Sequence, residues 1–224
     1  MNYANLSDNI SAAGIDLCRS SEPAQVGLAG GTFAKRTMDL VIAGSMLVVL
    51  APLLLSLALL IKLTSNGPVF FRQERHGQAG SVFRVWKFRS MYLHEEQGRV
   101  TQASKGDPRV TPIGRFIRRS SLDELPQLFN VIGGTMSLVG PRPHAVVHNL
   151  EYAKQIPGYM NRHQVKPGIT GFAQVKGFRG ETDTLEKMER RVELDLEYID
   201  RRSLLVDLRI LLQTPLALLS ENAY

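Results

Sequence analysis

The sequence predicts an α+β protein that is attached to a membrane. Three observations indicate this class: a long uncharged apolar segment, two short runs of alternating apolar residues after it, and helical periodicity near the C-terminus. A chain of 224 residues with 44% hydrophobic content can bury a sizeable core in one or two modest domains. We therefore expect one globular body with a single membrane element.

The N-terminal residues 1–34 are expected to form a flexible leader, because they lack periodicity and have few large apolar side chains. No charged start leads into a short apolar core near Met1, which argues against a secretory signal peptide. Cys18 is the only cysteine, so neither an internal disulfide nor a thiolate metal cluster can form. A reducing, cytoplasmic environment fits this composition.

Residues 35–63 form the expected membrane element. The 22 residues from Leu40 to Ile61 carry no charge, and as an unbroken helix they would extend about 33 Å, enough to cross a bilayer. Pro52 removes an intrahelical hydrogen bond at the middle, so it bends or breaks the helix. Because Lys35 precedes the segment and Lys62 follows it, charge does not choose an orientation. A kinked spanning helix and a broken helix that returns to the same face both remain open.

Two strands and two helices are predicted after the membrane segment. Val69–Phe71 and Val82–Phe88 alternate as short strands, and the turn-rich Arg75–Gly80 joins them into a small hairpin. Apolar residues recur at helical spacing from Leu185 to Ile199. Leu204–Leu219 is strongly apolar, so it is either an amphipathic helix in the membrane interface or a core helix under the hairpin.

The excess of basic over acidic side chains lies in the middle of the chain. The net charge is +6, and residues 62–149 carry 13 basic and 6 acidic side chains, whereas residues 150–224 carry 11 of each. Such a block attracts nucleic acid, anionic lipid headgroups or a phosphorylated small substrate. No groove-reading or base-stacking motif supports a nucleic-acid partner.

Two adjacent carboxylates, Asp123 and Glu124, stand among arginines in the stretch Arg118–Gln127. Ser120 and Ser121 lie three residues before the two acids, which is a capping pattern and predicts that a helix starts here. A helix N-terminus also attracts phosphate and keeps a carboxylate ionised, the form that attacks phosphorus or binds a metal ion. The cap and the chemistry are therefore compatible.

The cations of the basic block are mostly arginines, whose planar forks match phosphate oxygens. Arg142 stands between two prolines, which would present it rigidly. For any single arginine, a structural ion pair or a solvated charge remains an open alternative. The cations considered are Arg72, Arg75, Lys87, Arg89, Arg115, Arg118, Arg119 and Arg142.

Five motifs in order resemble the bacterial sugar transferase family, also called monotopic phosphoglycosyl transferases, over roughly residues 33–224. They are Lys35-Arg36 with Asp39, Lys87-Phe88-Arg89-Ser90-Met91, Ser121-Leu122-Asp123-Glu124-Leu125-Pro126-Gln127, Val139-Gly140-Pro141-Arg142-Pro143 and Lys166-Pro167-Gly168-Ile169-Thr170-Gly171. Within the family, Arg142-Pro143-His144-Ala145 and Arg179-Gly180-Glu181-Thr182-Asp183-Thr184 are most similar to undecaprenyl-phosphate glucose phosphotransferases of exopolysaccharide synthesis.

The resemblance implies an activity. A sugar 1-phosphate, foremost glucose 1-phosphate, would pass from a UDP-sugar to undecaprenyl phosphate, release UMP and begin assembly of an exopolysaccharide or related glycan. Asp123 would be the nucleophile and form an acyl-phosphate intermediate, and Asp123 and Glu124 would bind Mg²⁺. The residues expected to hold phosphates or nucleotide are Lys87, Arg89, Arg118, Arg142 and Thr170.

The resemblance also implies a monotopic membrane protein, with a re-entrant helix broken at Pro52 and amphipathic interfacial helices. Residues 64–224 would form the catalytic domain on the cytoplasmic face of a bacterial inner membrane, as a monomer or a homo-oligomer. Many members have a serine before that proline, whereas this chain has Ala51, which lacks a hydroxyl for the freed backbone groups. Larger relatives carry preceding membrane helices and an extra domain, so the catalytic unit is expected to stand alone here.

The alternative from another class is a non-catalytic membrane adaptor. In that case the basic block would bind anionic lipids, and Asp123 would serve only to stabilise a helix start.

Overall fold

Seven α-helices and four short strands make up the part of the chain that the computed structural model describes, which is residues 29–92, 106–180 and 184–219. In chain order they are α1 (Ala29–Thr64), β1 (Phe70–His76), β2 (Val82–Phe88), α2 (Pro112–Arg119), α3 (Gln127–Ile132), β3 (Ser137–Val139), α4 (Val146–Gln155), β4 (Gly168–Thr170), α5 (Phe172–Val175), α6 (Leu185–Arg201) and α7 (Leu204–Leu219). Three 3₁₀ turns lie at Gln78–Gly80, Leu122–Glu124 and Tyr159–Gln164. This mixture of helices with two small sheets confirms the α+β composition.

Helix α1 is long and apolar enough to cross a membrane. It begins at Ala29, inside the expected leader, and residues 1–28 lie outside the described residues. The helix does not end at Pro52, so the expected break is corrected to a proline within a continuous helix. One missing N–H does not end a helix whose neighbouring turns remain bonded. The Ser56 hydroxyl donates to the Pro52 carbonyl at 2.8 Å, a bond that often bends helices.

The first turns of α1 are fixed to the globular body by polar contacts. Arg36 donates to the carbonyls of Val131 and Ile132, the latter at 2.8 Å, and so satisfies the C-terminal end of α3. Asp39 is buried and accepts the backbone N–H of Leu138 at 3.2 Å. The sequence singled out this basic and acidic cluster, and in the fold it attaches the helix to α3 and β3.

The last turns of α1 pack on the same body. Leu57 and Ile61 are buried in a cluster with Phe88 of β2 and Ile117 of α2. Between these two attachment points, no residue from 44 to 56 is buried. Leu47 and Leu54 still pack against the core, so the apolar surface that α1 exposes in this stretch is formed by residues such as Val48, Val49 and Leu55.

The predicted hairpin is confirmed. Strands β1 and β2 pair antiparallel from Phe70 opposite Phe88 to His76 opposite Val82. The pairing includes His76, so β1 runs farther than the sequence indicated and the turn starts at Gly77. Side chains of β2 alternate between its two faces, so Lys87 lies on the same face as the buried Phe83 and Val85, whereas Arg84 is exposed on the other.

The second sheet is the parallel pair β3 and β4, which joins two of the sequence motifs. Ser137 pairs with Gly168 and Val139 with Thr170. A Cβ built on Gly168 would collide with the backbone of Gly140. Glycine is required at position 168 because the two backbone segments are in direct contact there. The segment that carries Arg142 starts from this pair.

Helices α6 and α7 close the described chain. The predicted helix from Leu185 is confirmed, and the Thr184 hydroxyl accepts the backbone N–H of Lys187 at 3.3 Å as its N-cap. Helix α7 packs on α5 and the parallel pair and buries Ile210 in the core cluster that also holds Phe83 and Val85 of the hairpin. Its opposite face exposes Leu205, Leu208, Leu212 and Leu216, so α7 is amphipathic.

Candidate active site

The two carboxylates lie in the 3₁₀ turn Leu122–Glu124, not at the start of an α-helix. The expected cap is wrong, because Ser121 makes no capping bond and α3 begins only after Pro126. Ser120 instead donates its hydroxyl to the Phe116 carbonyl at 2.9 Å and ends α2. A serine three residues before an acid also fits a helix end, and local sequence does not distinguish the two.

Ser121 holds the left-handed conformation, with φ at 57°, immediately before the dyad. Such a conformation costs about 1–3 kcal/mol outside glycine, and it persists where surrounding contacts enforce it. Here Arg179 donates to the Ser121 hydroxyl from the loop that precedes α6. The turn directs Asp123 and Glu124 into the body, where each is 8% exposed.

Glu124 is neutralised by two cations. Lys87 donates to Oε1 at 2.7 Å, and Arg142 donates from Nη2 to Oε1 at 2.6 Å and from Nη1 to Oε2 at 2.9 Å. Burial alone would raise the pKa of Glu124, but Arg142 and Lys87 outweigh it and hold that pKa well below its usual value. Glu124 is therefore ionised at neutral pH.

Asp123 has the opposite environment. Burial raises its pKa to about 6, with Glu124 adding to the effect and Lys87, Arg118 and Arg142 opposing it. Within residues 29–92, 106–180 and 184–219, no cation lies within ion-pair distance of its carboxylate. Two adjacent acids whose pKa values are pushed apart are the pattern of a site with distinct roles. At neutral pH Asp123 is therefore largely ionised, and among the described residues the cations that act on it do so from beyond ion-pair distance.

The segment that carries Arg142 is held from both sides. Arg162 donates from Nη2 to the Arg142 carbonyl at 2.8 Å, and Arg75 donates from Nη1 to the Pro143 carbonyl at 3.0 Å. Arg162 is itself paired with Asp195 of α6, and both are 2% exposed. These bonds fix the backbone from which the Arg142 fork reaches Glu124.

A buried polar cluster continues behind this segment, and sequence reasoning did not find it. The His144 Nδ1 lies 2.7 Å from both the Tyr159 hydroxyl and Arg162, and the Tyr159 hydroxyl donates to Asn149 at 2.7 Å. Burial and the nearby arginines, with Arg162 foremost, hold the pKa of His144 well below its usual value. Tyr159 and Arg162 share the 3₁₀ turn Tyr159–Gln164, whereas His144 and Asn149 come from a different part of the chain, and no sequence motif indicates that the two parts meet.

The structure brings together five of the seven predicted site residues, the two acids with Lys87, Arg118 and Arg142, and assigns other partners to two. Lys87 and Arg142 contact Glu124, and Arg118 acts on Asp123 through its charge. Arg89 is instead buried against the end of α1, where Nη2 donates to the Ser65 carbonyl at 2.7 Å. The Thr170 hydroxyl lies 2.8 Å from that of Thr214 on α7.

Arg89 and Thr170 therefore have structural roles at these contacts. Arg89 donates to the carbonyl of Ser65, the residue after the end of α1, and so ties the end of the hairpin to the end of that helix. Thr170 ties β4 to α7. These two contacts account for the presence of Arg89 and Thr170 in their motifs. Phosphate binding by either residue stays a prediction.

The two adjacent carboxylates of the dyad are the groups to test against the cation that the family resemblance implies. No group of three or more His, Cys, Asp or Glu side chains able to hold a metal ion occurs among the described residues. Mg²⁺ needs no such cage, because it commonly uses one or two carboxylates together with substrate phosphates. The Asp123 carboxylate and the remaining lone pair of Glu124 Oε2 meet that requirement.

The fold and the site define a membrane-associated α+β protein with a carboxylate dyad set among lysine and arginine side chains. The chain belongs to the bacterial sugar transferase family, whose model, described as "Bacterial sugar transferase", matches residues 30–221.

Curated relatives share this region. The chain is 58% identical over 180 residues to a UDP-glucose:undecaprenyl-phosphate glucose-1-phosphate transferase of Escherichia coli (strain K12), covering 80% of this chain and 39% of that one. A protein of the same name from Xanthomonas campestris pv. campestris is 54% identical over 190 residues, covering 84% and 39%. The exopolysaccharide production protein PSS of Rhizobium leguminosarum bv. phaseoli is 46% identical over 193 residues, covering 84% and 96%. The chain thus spans about two fifths of the length of the first two relatives.

Proposed function

We propose that this chain transfers glucose 1-phosphate from UDP-glucose to undecaprenyl phosphate, releases UMP and so begins assembly of an exopolysaccharide. One observation carries the proposal: the buried carboxylate of Asp123, which has no ion-pair partner among the described residues, stands beside a Glu124 that Lys87 and Arg142 already neutralise. The names of the relatives from Escherichia coli and Xanthomonas campestris supply the sugar and the acceptor.

In the first half-reaction, a carboxylate oxygen of Asp123 attacks the phosphorus that bears the sugar. The bond from that phosphorus to the bridging oxygen breaks, and the electron pair leaves on UMP. The raised pKa of Asp123 makes its carboxylate more basic than an ordinary aspartate while leaving it largely ionised at neutral pH. Arg118, Lys87 and Arg142 provide positive charge around the phosphates as the leaving group takes up its charge.

In the second half-reaction, a phosphate oxygen of undecaprenyl phosphate attacks the same phosphorus. The bond to Asp123 breaks, the carboxylate is regenerated, and a lipid diphosphate sugar is the product. Because both steps use one nucleophile, a single site serves donor and acceptor in turn. Glu124 stays ionised through both steps and keeps Lys87 and Arg142 oriented.

Magnesium belongs to the proposal as a cofactor held by Asp123 and Glu124 together with the donor's phosphates. When bound, it would neutralise the diphosphate and assist the departure of UMP. Removal of the ion with a chelator is expected to stop UMP release, and added Mg²⁺ is expected to restore it.

We also propose that α1 is re-entrant and that the body lies on the cytoplasmic face of the bacterial inner membrane. Two observations support this path: both ends of α1 contact one globular body, and no residue between 44 and 56 is buried. A straight spanning helix would separate its ends by the thickness of the bilayer. A bend at Pro52, next to the Ser56 bond, allows both ends to stay on one side.

The activity is tested with the purified full chain, Mg²⁺, undecaprenyl phosphate and a panel of UDP-glucose, UDP-galactose and UDP-N-acetylgalactosamine, with UMP as the readout. We expect UMP release foremost from UDP-glucose. Asp123→Asn is expected to remove it, while the exposed Arg119→Gln on α2 retains it as the control. No UMP from any sugar would overturn the transferase proposal and leave the adaptor alternative.

A further inference from the structure

A cavity of about 310 Å³ lies between α5, α6 and α7, and none of its lining residues belongs to the dyad or its cations. Its walls are apolar, formed by Phe172, Tyr198, Val206 and Ile210. Three cations line it as well: Lys176, Arg201 and Arg209. An apolar pocket with converging basic groups is the form of a binding site for an amphipathic anion.

The charge around this cavity is not fully neutralised. Arg201 is paired with Glu197 at 2.8 Å, and Glu197 is the cavity's acidic residue. In the described parts of the chain, no carboxylate lies within ion-pair distance of Lys176 or Arg209. The Lys176 ammonium lies 5.4 Å from the centre of the Phe172 ring, which holds it at the cavity wall. Two cations therefore remain for a ligand.

The cavity lies near the start of the uncharged segment of α1. Asp207, between cavity residues Val206 and Arg209 on α7, contacts Lys35 of α1 at 2.9 Å. Lys35 precedes Leu40, where the uncharged segment begins, by about 8 Å of helix. On the membrane path proposed for α1, the cavity therefore lies near the headgroup layer.

An apolar surface continues from the cavity on the same helix. The exposed leucines of α7 recur every three or four residues, so they form one face: Leu205, Leu208, Leu212 and Leu216. Arg209 follows Leu208 directly and lines the cavity. A ligand with a phosphate at the cavity therefore finds an apolar face beside it for an acyl chain.

We propose that this cavity binds the phosphate headgroup of an anionic phospholipid, with Lys176 and Arg209 as its cationic contacts. Phosphatidylglycerol has the required single negative phosphate and acyl chains. The inference rests on the membrane association of α1 and not on the transfer reaction. Each cation near an anionic lipid is expected to contribute about fivefold in affinity.

The test is native mass spectrometry of the detergent-purified full chain, titrated with phosphatidylglycerol or phosphatidylcholine of the same acyl chains. We expect one phosphatidylglycerol to bind at lower concentration than phosphatidylcholine. The double variant Lys176→Gln, Arg209→Gln is expected to weaken phosphatidylglycerol binding about 25-fold, by two cations of about fivefold each, and to leave phosphatidylcholine unchanged. The control Lys154→Gln, Arg190→Gln removes the same charge from exposed positions outside the cavity and should change neither.

Three outcomes would overturn the proposal. They are equal binding of the two lipids, an unchanged double variant, and full displacement of phosphatidylglycerol by millimolar glycerol 3-phosphate, which would make the ligand a free phosphate. Loss of undecaprenyl phosphate binding alone would instead make the cavity an acceptor site. Because lipid binding is measured without UDP-sugar, its failure is distinct from failure of UMP release, which the double variant should retain.

Discussion

Arg142 donates two parallel hydrogen bonds to Glu124, from Nη1 to Oε2 at 2.9 Å and from Nη2 to Oε1 at 2.6 Å. This fork-to-fork geometry is the strong form of an arginine–carboxylate pair. It leaves the neighbouring Asp123 as the acid without an ion-pair partner in the described structure, although the two are adjacent in sequence. The dyad is therefore asymmetric, with one acid fixed and one available for chemistry.

The first prediction separates the two acids. Asp123→Asn should abolish both UMP release and the covalent phosphosugar adduct, because the amide oxygen is a poor nucleophile. Glu124→Gln should slow UMP release by about 10²–10³-fold, since Lys87 and Arg142 lose the charge that orients them. The adduct should still form in Glu124→Gln. Because it is an acyl-phosphate, hydroxylamine should cleave it.

Intact-protein mass spectrometry after incubation with UDP-glucose and no lipid acceptor measures that adduct. If the adduct formed on Asp123→Asn, or if it were lost only in Glu124→Gln, Glu124 rather than Asp123 would be the nucleophile.

The second prediction concerns pH. Asp123 reacts as a carboxylate, and its pKa is raised to about 6, so the rate of UMP release should fall as the pH drops through about 6. Arg118 lowers the pKa of Asp123, hence Arg118→Gln should raise that pKa and move the acidic limb to higher pH. Arg119→Gln removes an exposed charge from the same helix and should leave the limb in place.

Single-turnover UMP release without undecaprenyl phosphate is the proper measurement, because the acceptor's own phosphate titrates in the same range. A limb that stays in place in Arg118→Gln would mean that another group controls it.

Periodicity and turn chemistry predicted the hairpin, the helix from Leu185 and the apolar helix Leu204–Leu219, since each depends on residues close in sequence. The capped start at Ser120 was wrong, because the same residues also fit the end of α2 followed by a tight turn. The contacts of neighbouring elements, which a local pattern does not contain, decided between the two.

The cations of the site were predicted as a class, but their partners were not. Lys87 and Arg89 stand in one motif, yet Lys87 binds Glu124 whereas Arg89 binds the end of α1. Arg162 and Asp195 fix the Arg142 segment from 20 and more residues away, and nothing local indicates them. Long-range pairing of this kind follows from tertiary packing, which the sequence pattern does not encode.

The third prediction concerns the buried pair of Arg162 and Asp195. Asp195→Asn leaves the Arg162 charge buried and uncompensated, so the free energy of unfolding should fall by about 3–5 kcal/mol. Asp200→Asn changes an exposed acid on the same helix and should have little effect. Thermal unfolding followed by circular dichroism in detergent measures the difference, and equal melting of the two variants would contradict it.

The fourth prediction concerns the close approach of two backbone segments. In Gly168→Ala the new methyl group would meet the Gly140 backbone, which cannot move as a flexible side chain does, so we expect a loss of about 1–3 kcal/mol. Gly44→Ala is the matched control, because a Cβ at Gly44 would have no heavy atom within 4 Å. Alanine also favours a helix more than glycine does, so this variant should be slightly stabilised. Melting temperatures should therefore move in opposite directions. A stabilised Gly168→Ala would show that the β3 and β4 segments are not in fixed contact.

The fifth prediction concerns the path of α1. The native Cys18 precedes the helix, and Glu193→Cys in a Cys18→Ser chain places a thiol on the exposed side of α6. Re-entry predicts that a membrane-impermeant maleimide labels neither thiol in intact bacterial cells and both after permeabilisation. A spanning helix predicts that one of the two is labelled in intact cells.

Pro52→Ala makes this labelling test sharper. Alanine restores the missing N–H and removes the clash with the preceding turn, so it favours a straight α1. If Pro52 causes re-entry, part of the Pro52→Ala population should expose Cys18 to the reagent in intact cells. Pro215→Ala removes a proline from α7 and should leave Cys18 protected. Protection of Cys18 in both variants would mean that the attachments of α1 to the body, through Arg36 and Asp39 at one end and Ile61 at the other, hold both ends together without the proline.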